Sequence, residues 1–129
     1  MIILNLTQHV GTPEQGVVEP ENKTLVQEFL TFSSLPTQPE MDDRASNLAA
    51  IACYHRGCSH AGDHEQWSAM IAGAPYFMST LERALIAVGV TPVYAFSTRE
   101  SVEQVIDGKT VKTSVFSHQG FVEVNNNVH

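Results

Sequence analysis

The chain has 129 residues, 43% of them hydrophobic, with 14 acidic and 7 basic side chains and a formal net charge of −7. That length closes one core without staples, and so acidic a chain, lacking any basic run, is a poor match for duplex nucleic acid. No apolar run approaches the ~18 residues of a membrane span, and the start, Met1 to Leu6, is short and lacks the basic flank of a secretory leader, so a cytoplasmic protein with no membrane partner is expected.

Ile2 to Leu6 reads as a short central strand buried on both faces. It runs into Thr7, Gln8 and His9, and then into Gly11-Thr12-Pro13-Glu14-Gln15, where Thr12 suits the cap of a short helix with Pro13 at its first position. Leu25, Val26, Phe29 and Leu30 fit one helical face, while Phe29-Leu30-Thr31-Phe32 equally suits a strand. The expectation is a short helix feeding a second strand. Thr37 and Glu40 have capping-box spacing, and Met41, Ala45, Leu48, Ala49 and Ala52 recur at helical intervals, so a helix runs to about Cys53.

The stretch from Ala69 through Ser101 carries the clearest organisation. A strand ends at Ala72, Gly73-Ala74-Pro75 makes a tight turn, and a helix buries Phe77, Met78, Leu81, Ala84, Leu85 and Val88 before a stop at Gly89. A second strand, Pro92 to Phe96, leads into a polar loop, Ser97 to Ser101. This is the βαβ unit of an open, mainly parallel α/β sheet, which binds ligands beyond the carboxyl ends of its strands. The last third is β. Val102 to Ile106 and Thr110 to Phe116 flank Asp107-Gly108-Lys109, a strong hairpin signal. Phe121 to Val124 continues the sheet after a bend near Gly120, which gives one domain over 1–124 and a frayed tail over 125–129.

Two constellations bear on chemistry. The first gathers strand-end polar groups: Gln8, His9, Gly73, Ala74, Ser97, Thr98, Arg99, Glu100, Ser101 and His118. Gly73 lets a ligand approach the backbone, and the helix after it directs N–H groups and a positive dipole end at the same spot. Arg99 offers a bidentate fork to an anion, Ser97 and Ser101 offer hydrogen bonds, and His9 exchanges a proton near neutral pH. Against this stands a plain surface loop. No glycine-rich phosphate loop and no nucleophile elbow occurs.

The second constellation is Cys53, His55, Cys58, His60 and His64, two thiols and three imidazoles within twelve residues. Zinc takes such ligands in tetrahedral sets, usually as two short-spaced pairs separated by a longer segment, and no distant second pair exists here. The plainer reading is a polar connection from helix to strand, with Cys53 as a small buried hydrophobe and no disulfide framework. Glu65 beside a metal-bound water would be a further step, and no cofactor other than zinc is suggested.

Three blocks resemble a known family. They are Leu4 to Gln15, Val93 to Glu103, and the hairpin end Val115-Phe116-Ser117-His118-Gln119-Gly120-Phe121-Val122. Together they look like the small CRISPR-associated Rossmann-like proteins of the Csx type, and like uncharacterised bacterial and phage proteins with the same blocks. That family is similar in build to the CARF domains that bind cyclic oligoadenylates, and some relatives cleave that messenger as ring nucleases. The segment from Cys53 to His64 lies outside the pattern.

The resemblance implies a Rossmann-like domain that acts as a homodimer on a cyclic oligoadenylate, a two-fold ligand matched to a two-fold protein. Cleavage would use the ribose 2′-hydroxyl against the neighbouring phosphate, without metal. Arg99 and the amides beside Gly73 would stabilise charge, and His9 or His118 would move the proton. Gln8, Ala74, Ser97, Thr98, Glu100 and Ser101 would position the ring. Three other readings stay open: a nucleotide sensor or sponge, a zinc module centred on residues 53–64, and an interaction domain without a small ligand.

Overall fold

The strands lie across the sheet in chain order. In the structure, a computed structural model describing residues 2–57 and 66–124, the elements are β1 (Ile2–Asn5), a 3-10 helix (Pro13–Gln15), α1 (Lys23–Leu30), α2 (Gln38–Arg56), β2 (Trp67–Met70), α3 (Pro75–Ala87), β3 (Thr91–Ile106) and β4 (Lys109–Glu123). The sheet order is β1-β2-β3-β4. β1 pairs with β2, and β2 with β3, in parallel, whereas β3 and β4 are antiparallel. The fold is α/β: an open, mostly parallel sheet with a C-terminal antiparallel hairpin.

This order corrects two expectations. β1 is an edge strand rather than a central one, although both its faces are buried, with Leu4 and Asn5 at 0% exposure. Phe29 to Phe32 forms no second strand: α1 continues through Leu30 and the chain then turns towards α2. With every parallel connection stepping the same way, right-handed crossovers place their helices on one face, and α1 packs on α2 and α2 on α3. The sheet therefore has no point where strand order reverses, the place where doubly wound sheets open a ligand crevice.

The helix-covered face carries the main core. Leu4, Leu6, Ala69, Ile71 and Val90 pack with Val26, Leu48, Phe77, Leu81 and Leu85. Truncating a buried Leu in such a core costs about 2–5 kcal/mol, because a cavity adds to the lost transfer energy. The second face is buried too: Asn5, Ser68, Met70 and Val93 are each no more than 4% exposed. It is covered by the segment after β1. The 3-10 helix packs against β4, and Val18 returns to the outer edge of β1, donating its N–H to Ile3 O at 2.8 Å and accepting from Asn5 N–H at 2.7 Å.

Local signals explain most boundaries. Thr37 Oγ1 accepts from the Glu40 N–H and caps α2, which ends at Gly57 in the left-handed region. Thr12 is the N-cap of the 3-10 helix, with Pro13 at its first position, and the Thr12 N–H donates to Gln15 Oε1 at 3.0 Å. Pro75 opens α3, and Gly89, at φ 77°, ends it. Among the described residues no helix is long and apolar enough to cross a membrane. The expected tail, 125–129, lies outside the described residues.

The hairpin is much longer than its sequence suggests. Asp107 (φ 51°) and Gly108 (φ 76°) are both left-handed, the geometry of the turn that matches strand twist. From there the ladder runs unbroken to Ser97 opposite His118, then skips Gln119, because Phe96 pairs with Gly120. One extra residue on one strand is a β-bulge. β2 reaches only as far as Val93, so residues 97–118 form a two-stranded ribbon beyond the three-strand core. The expected Ser97–Ser101 loop is strand.

Candidate functional site

The end of β1 is organised around Asn5, which is fully buried. Its Oδ1 accepts from the Thr7 N–H (3.0 Å) and lies 2.6 Å from Thr7 Oγ1. Its Nδ2 donates to the His9 carbonyl (2.8 Å) and to both carboxylate oxygens of Glu19 (3.1 and 2.9 Å). Glu19 also accepts from the Gly11 N–H at 2.9 Å and pairs with Lys23 at 3.3 Å. Burial alone raises the Glu19 carboxyl, but hydrogen bonds from Asn5 and Gly11, together with Lys23, outweigh it and hold the group below its ordinary range. A side chain at Gly11 would stand 2.4 Å from Val17. This network sets the path of residues 7–11 and leaves the His9 side chain exposed at the strand ends.

Two clefts flank that point. One, of about 330 Å³, is lined by Thr7, Gln8, His9, Leu30, Thr31, Phe32, Ala72, Gly73 and Ala74. The other, of about 360 Å³, is lined by Thr7, His9, Val10, Thr12, Gln15, Met70, Ile71, Ala72, Tyr94 and Ala95. Thr7, His9 and Ala72 belong to both, so His9 stands on the ridge between them. Gln8, His9, Gly73 and Ala74 are thus brought together as the sequence suggests.

The far wall of the first cleft comes from residues the sequence did not single out. Gln8 Nε2 donates to Thr31 Oγ1 at 3.3 Å, and Gln27 Nε2 donates to the Gln8 carbonyl at 2.8 Å. Phe32 packs edge-on against Phe77, ring centroids 5.3 Å apart. The Arg44 guanidinium lies 4.4 Å over the Phe32 ring, donates to the carbonyls of Glu28 and Thr31, and pairs with Glu40. Arg44 therefore closes the open end of α1 and fixes the cleft wall with one side chain. The signal for it was only an Arg four residues after Glu40, a spacing common on solvated helices.

The remaining strand-end candidates sit elsewhere. Arg99 is six residues past the last residue of β3 paired to β2, about 20 Å along an extended strand. It stacks 5.2 Å from the centroid of Phe116, its cross-strand partner. Ser97, Thr98, Glu100 and Ser101 share that ribbon. His118 lies at the bulge, edge-on to Phe121 at 4.9 Å, with Nδ1 buried and unpartnered among the described residues. None of these six lines either strand-end cleft.

The metal candidates divide. Cys58, His60 and His64, with Glu65, lie outside the described residues. Cys53 is half-buried and disulfide-bonded, which departs from its reading as a small buried hydrophobe. His55 Nε2 accepts from the Glu21 N–H at 3.4 Å, beside a groove between α1 and α2. Among the described residues no group of three His, Cys, Asp or Glu is placed to hold a metal ion.

Chemically, the strand ends combine a hydroxyl (Thr31), a carboxamide (Gln8), an imidazole (His9) and the opening turn of α3, whose first N–H groups have no intrahelical partner. Such a set donates hydrogen bonds to an anion and exchanges a proton beside it. No curated protein and no solved structure matches the chain. A family model described as the uncharacterized protein MJ1673 family matches residues 1–122, nearly the whole chain, which therefore belongs to that family.

Proposed function

We propose that the strand-end clefts bind a compact phosphodiester nucleotide of the cyclic oligoadenylate kind and that the protein cleaves it without a metal ion. The observation that carries the reading is the position of His9, on the ridge between two clefts, one of which also holds the α3 N-terminus. A ring with several phosphates and bases needs adjoining hollows around one reactive linkage. The resemblance of three sequence blocks to Csx-type proteins supports the same class.

In this mechanism a ribose 2′-hydroxyl attacks the adjacent phosphorus, forming the 2′,3′-cyclic phosphate as the bond to the 5′-oxygen breaks. The N–H groups of Gly73 and Ala74, both of which line the first cleft, meet the phosphorane charge. His9 moves the proton from the attacking hydroxyl or to the leaving oxygen. Gln8 and Thr31 hold the ring against the Phe32 wall. The residual role for Arg99 and His118 is outside this cleft. That separation favours, as a second reading, a protein that binds the ring and releases it intact.

The test is cleavage and binding measured on His9→Ala, Thr31→Val and Arg99→Ala. His9→Ala should lower turnover by 10²-fold or more with ligand binding retained, and Thr31→Val should weaken binding several-fold. Arg99→Ala should leave both close to wild type. Turnover that survives His9→Ala but falls with Arg99→Ala would move the site to the ribbon.

A further inference from the structure

A hollow of about 300 Å³ opens on the outer helical layer, between α1 and the C-terminal half of α2. It shares no residue with either strand-end cleft, and its volume stands at the lower end of the small-ligand range. Leu25, Ala50 and Ile51 give it an apolar lining. Three aromatic rings join them, Phe29 from α1 and Tyr54 and His55 from α2. The Tyr54 and His55 rings stand at 88°, with centroids 5.9 Å apart, so they form a corner rather than a stack. Tyr54 is 71% exposed and contributes little to the core.

The polar part of the lining has one sign. His55 Nε2 accepts from the Glu21 N–H at 3.4 Å, and an accepting ring nitrogen carries no proton, so in this pairing the imidazole is neutral. That leaves the Glu21 carboxylate as the one charged group of the lining. The two carboxamides are turned to their own helices: Asn22 Oδ1 accepts from the Leu25 N–H at 3.1 Å, and Asn47 Nδ2 donates to the Asp43 carbonyl at 2.8 Å. The nearby cations are engaged elsewhere, Lys23 with Glu19 at 3.3 Å and Arg56 with the Gly89 carbonyl at 3.2 Å. The last turn of α2 adds the negative end of its dipole.

We infer that this hollow binds a free, small quaternary ammonium ion of the choline type. Aromatic faces attract a cation through their quadrupoles, and the attraction grows as water is excluded. The methyl groups pack on Leu25 and Ile51, the Tyr54 ring covers the charged nitrogen, and Glu21 complements the charge. A hard metal ion needs several oxygen ligands where one carboxylate is present, and an anion is repelled by that carboxylate.

Isothermal titration of the full chain tests the assignment. Choline and tetramethylammonium should bind saturably. The uncharged carbon analogue of choline, 3,3-dimethylbutanol, should bind about fivefold more weakly, as loss of the cation–ring attraction requires. Tyr54→Leu should weaken choline about fivefold with an unchanged far-ultraviolet spectrum, whereas Tyr54→Phe keeps the ring and should hold the affinity within about twofold. Glu21→Gln should weaken choline about threefold at low salt. Phosphocholine should bind more weakly than choline, because its phosphate meets Glu21. Absence of saturable choline binding overturns the inference. So does an uncharged analogue that binds as tightly as choline, a Tyr54→Leu variant with wild-type affinity, or phosphocholine binding more tightly than choline.

Discussion

The Asn5 carboxamide donates to both carboxylate oxygens of Glu19, at 3.1 and 2.9 Å, across fourteen residues of sequence. This contact ties the end of β1 to the returning segment that covers the second face of the sheet. Asn5 itself has no exposed surface, and its loss removes at once the contacts that hold Thr7, the His9 carbonyl and Glu19 to the strand end. Asn5→Ala should cost about 2–3 kcal/mol in urea denaturation, the range for a hydrogen bond to a charged group. Asn5→Asp keeps the shape but sets two carboxylates together, and its deficit should shrink between pH 7 and pH 5.

Glu19 gives the acid side of the stability profile a defined cause. Its pKa is lower in the folded chain than the ordinary 4.5, so its stabilisation is complete above that value and is lost as pH falls through the lower, folded one. The stability gap between wild type and Glu19→Gln should therefore be constant from pH 7 to pH 5 and narrow below about pH 4.5. Denaturant titrations at half-unit intervals would show it; a gap that widens on acidification contradicts the sign.

Tyr94 supplies the alkaline counterpart. Burial first, and then its 2.5 Å hydrogen bond to Glu82, raise the phenol well above 10.0. A raised folded pKa means stability that is full below pH 10 and fades as pH climbs towards the folded value. Tyr94→Phe should cost about 1 kcal/mol at pH 7, and that cost should fall above pH 10. Ultraviolet titration of the wild type should show one tyrosinate absent until the chain unfolds.

Gly89 links α3 to the end of α2. Its φ is 77°, and a methyl group there would stand 2.5 Å from Arg56 Nη1, whose guanidinium donates to the Gly89 carbonyl at 3.2 Å. Gly89→Ala combines left-handed strain with displacement of a flexible side chain, and should cost about 1–2 kcal/mol in thermal or urea unfolding. Gly16, equally left-handed at φ 63° but with open space around it, should lose less on the same change.

What could be read from the sequence was local. Gly89, Asp107-Gly108 and Thr37 each impose a backbone conformation or a cap within four residues, and α2, α3 and the hairpin turn followed from them. Strand order is non-local, so the edge position of β1 was not legible. Ser97 to Ser101 looked like a loop because no apolar alternation marks it. Its ladder is instead held by cross-strand partners such as Phe116 for Arg99 and Ser114 for Ser101, thirteen or more residues away.

The site was legible in part for the same reason. Gln8, His9, Gly73 and Ala74 follow their strands directly, so locating the strand ends located them. Thr31, Phe32 and Arg44 reach the cleft only through the packing of α1 on α2, a relationship that helical periodicity does not contain. Arg99 moved away because its assignment depended on where β3 ended.

The most direct test of the central claim is incubation of the protein, in the presence of a chelator, with cyclic tetra-adenylate and cyclic hexa-adenylate, followed by chromatography and mass analysis. Linear adenylates ending in a 2′,3′-cyclic phosphate are the predicted result, with their yield collapsing in His9→Ala. Intact rings recovered free of the protein would contradict the account.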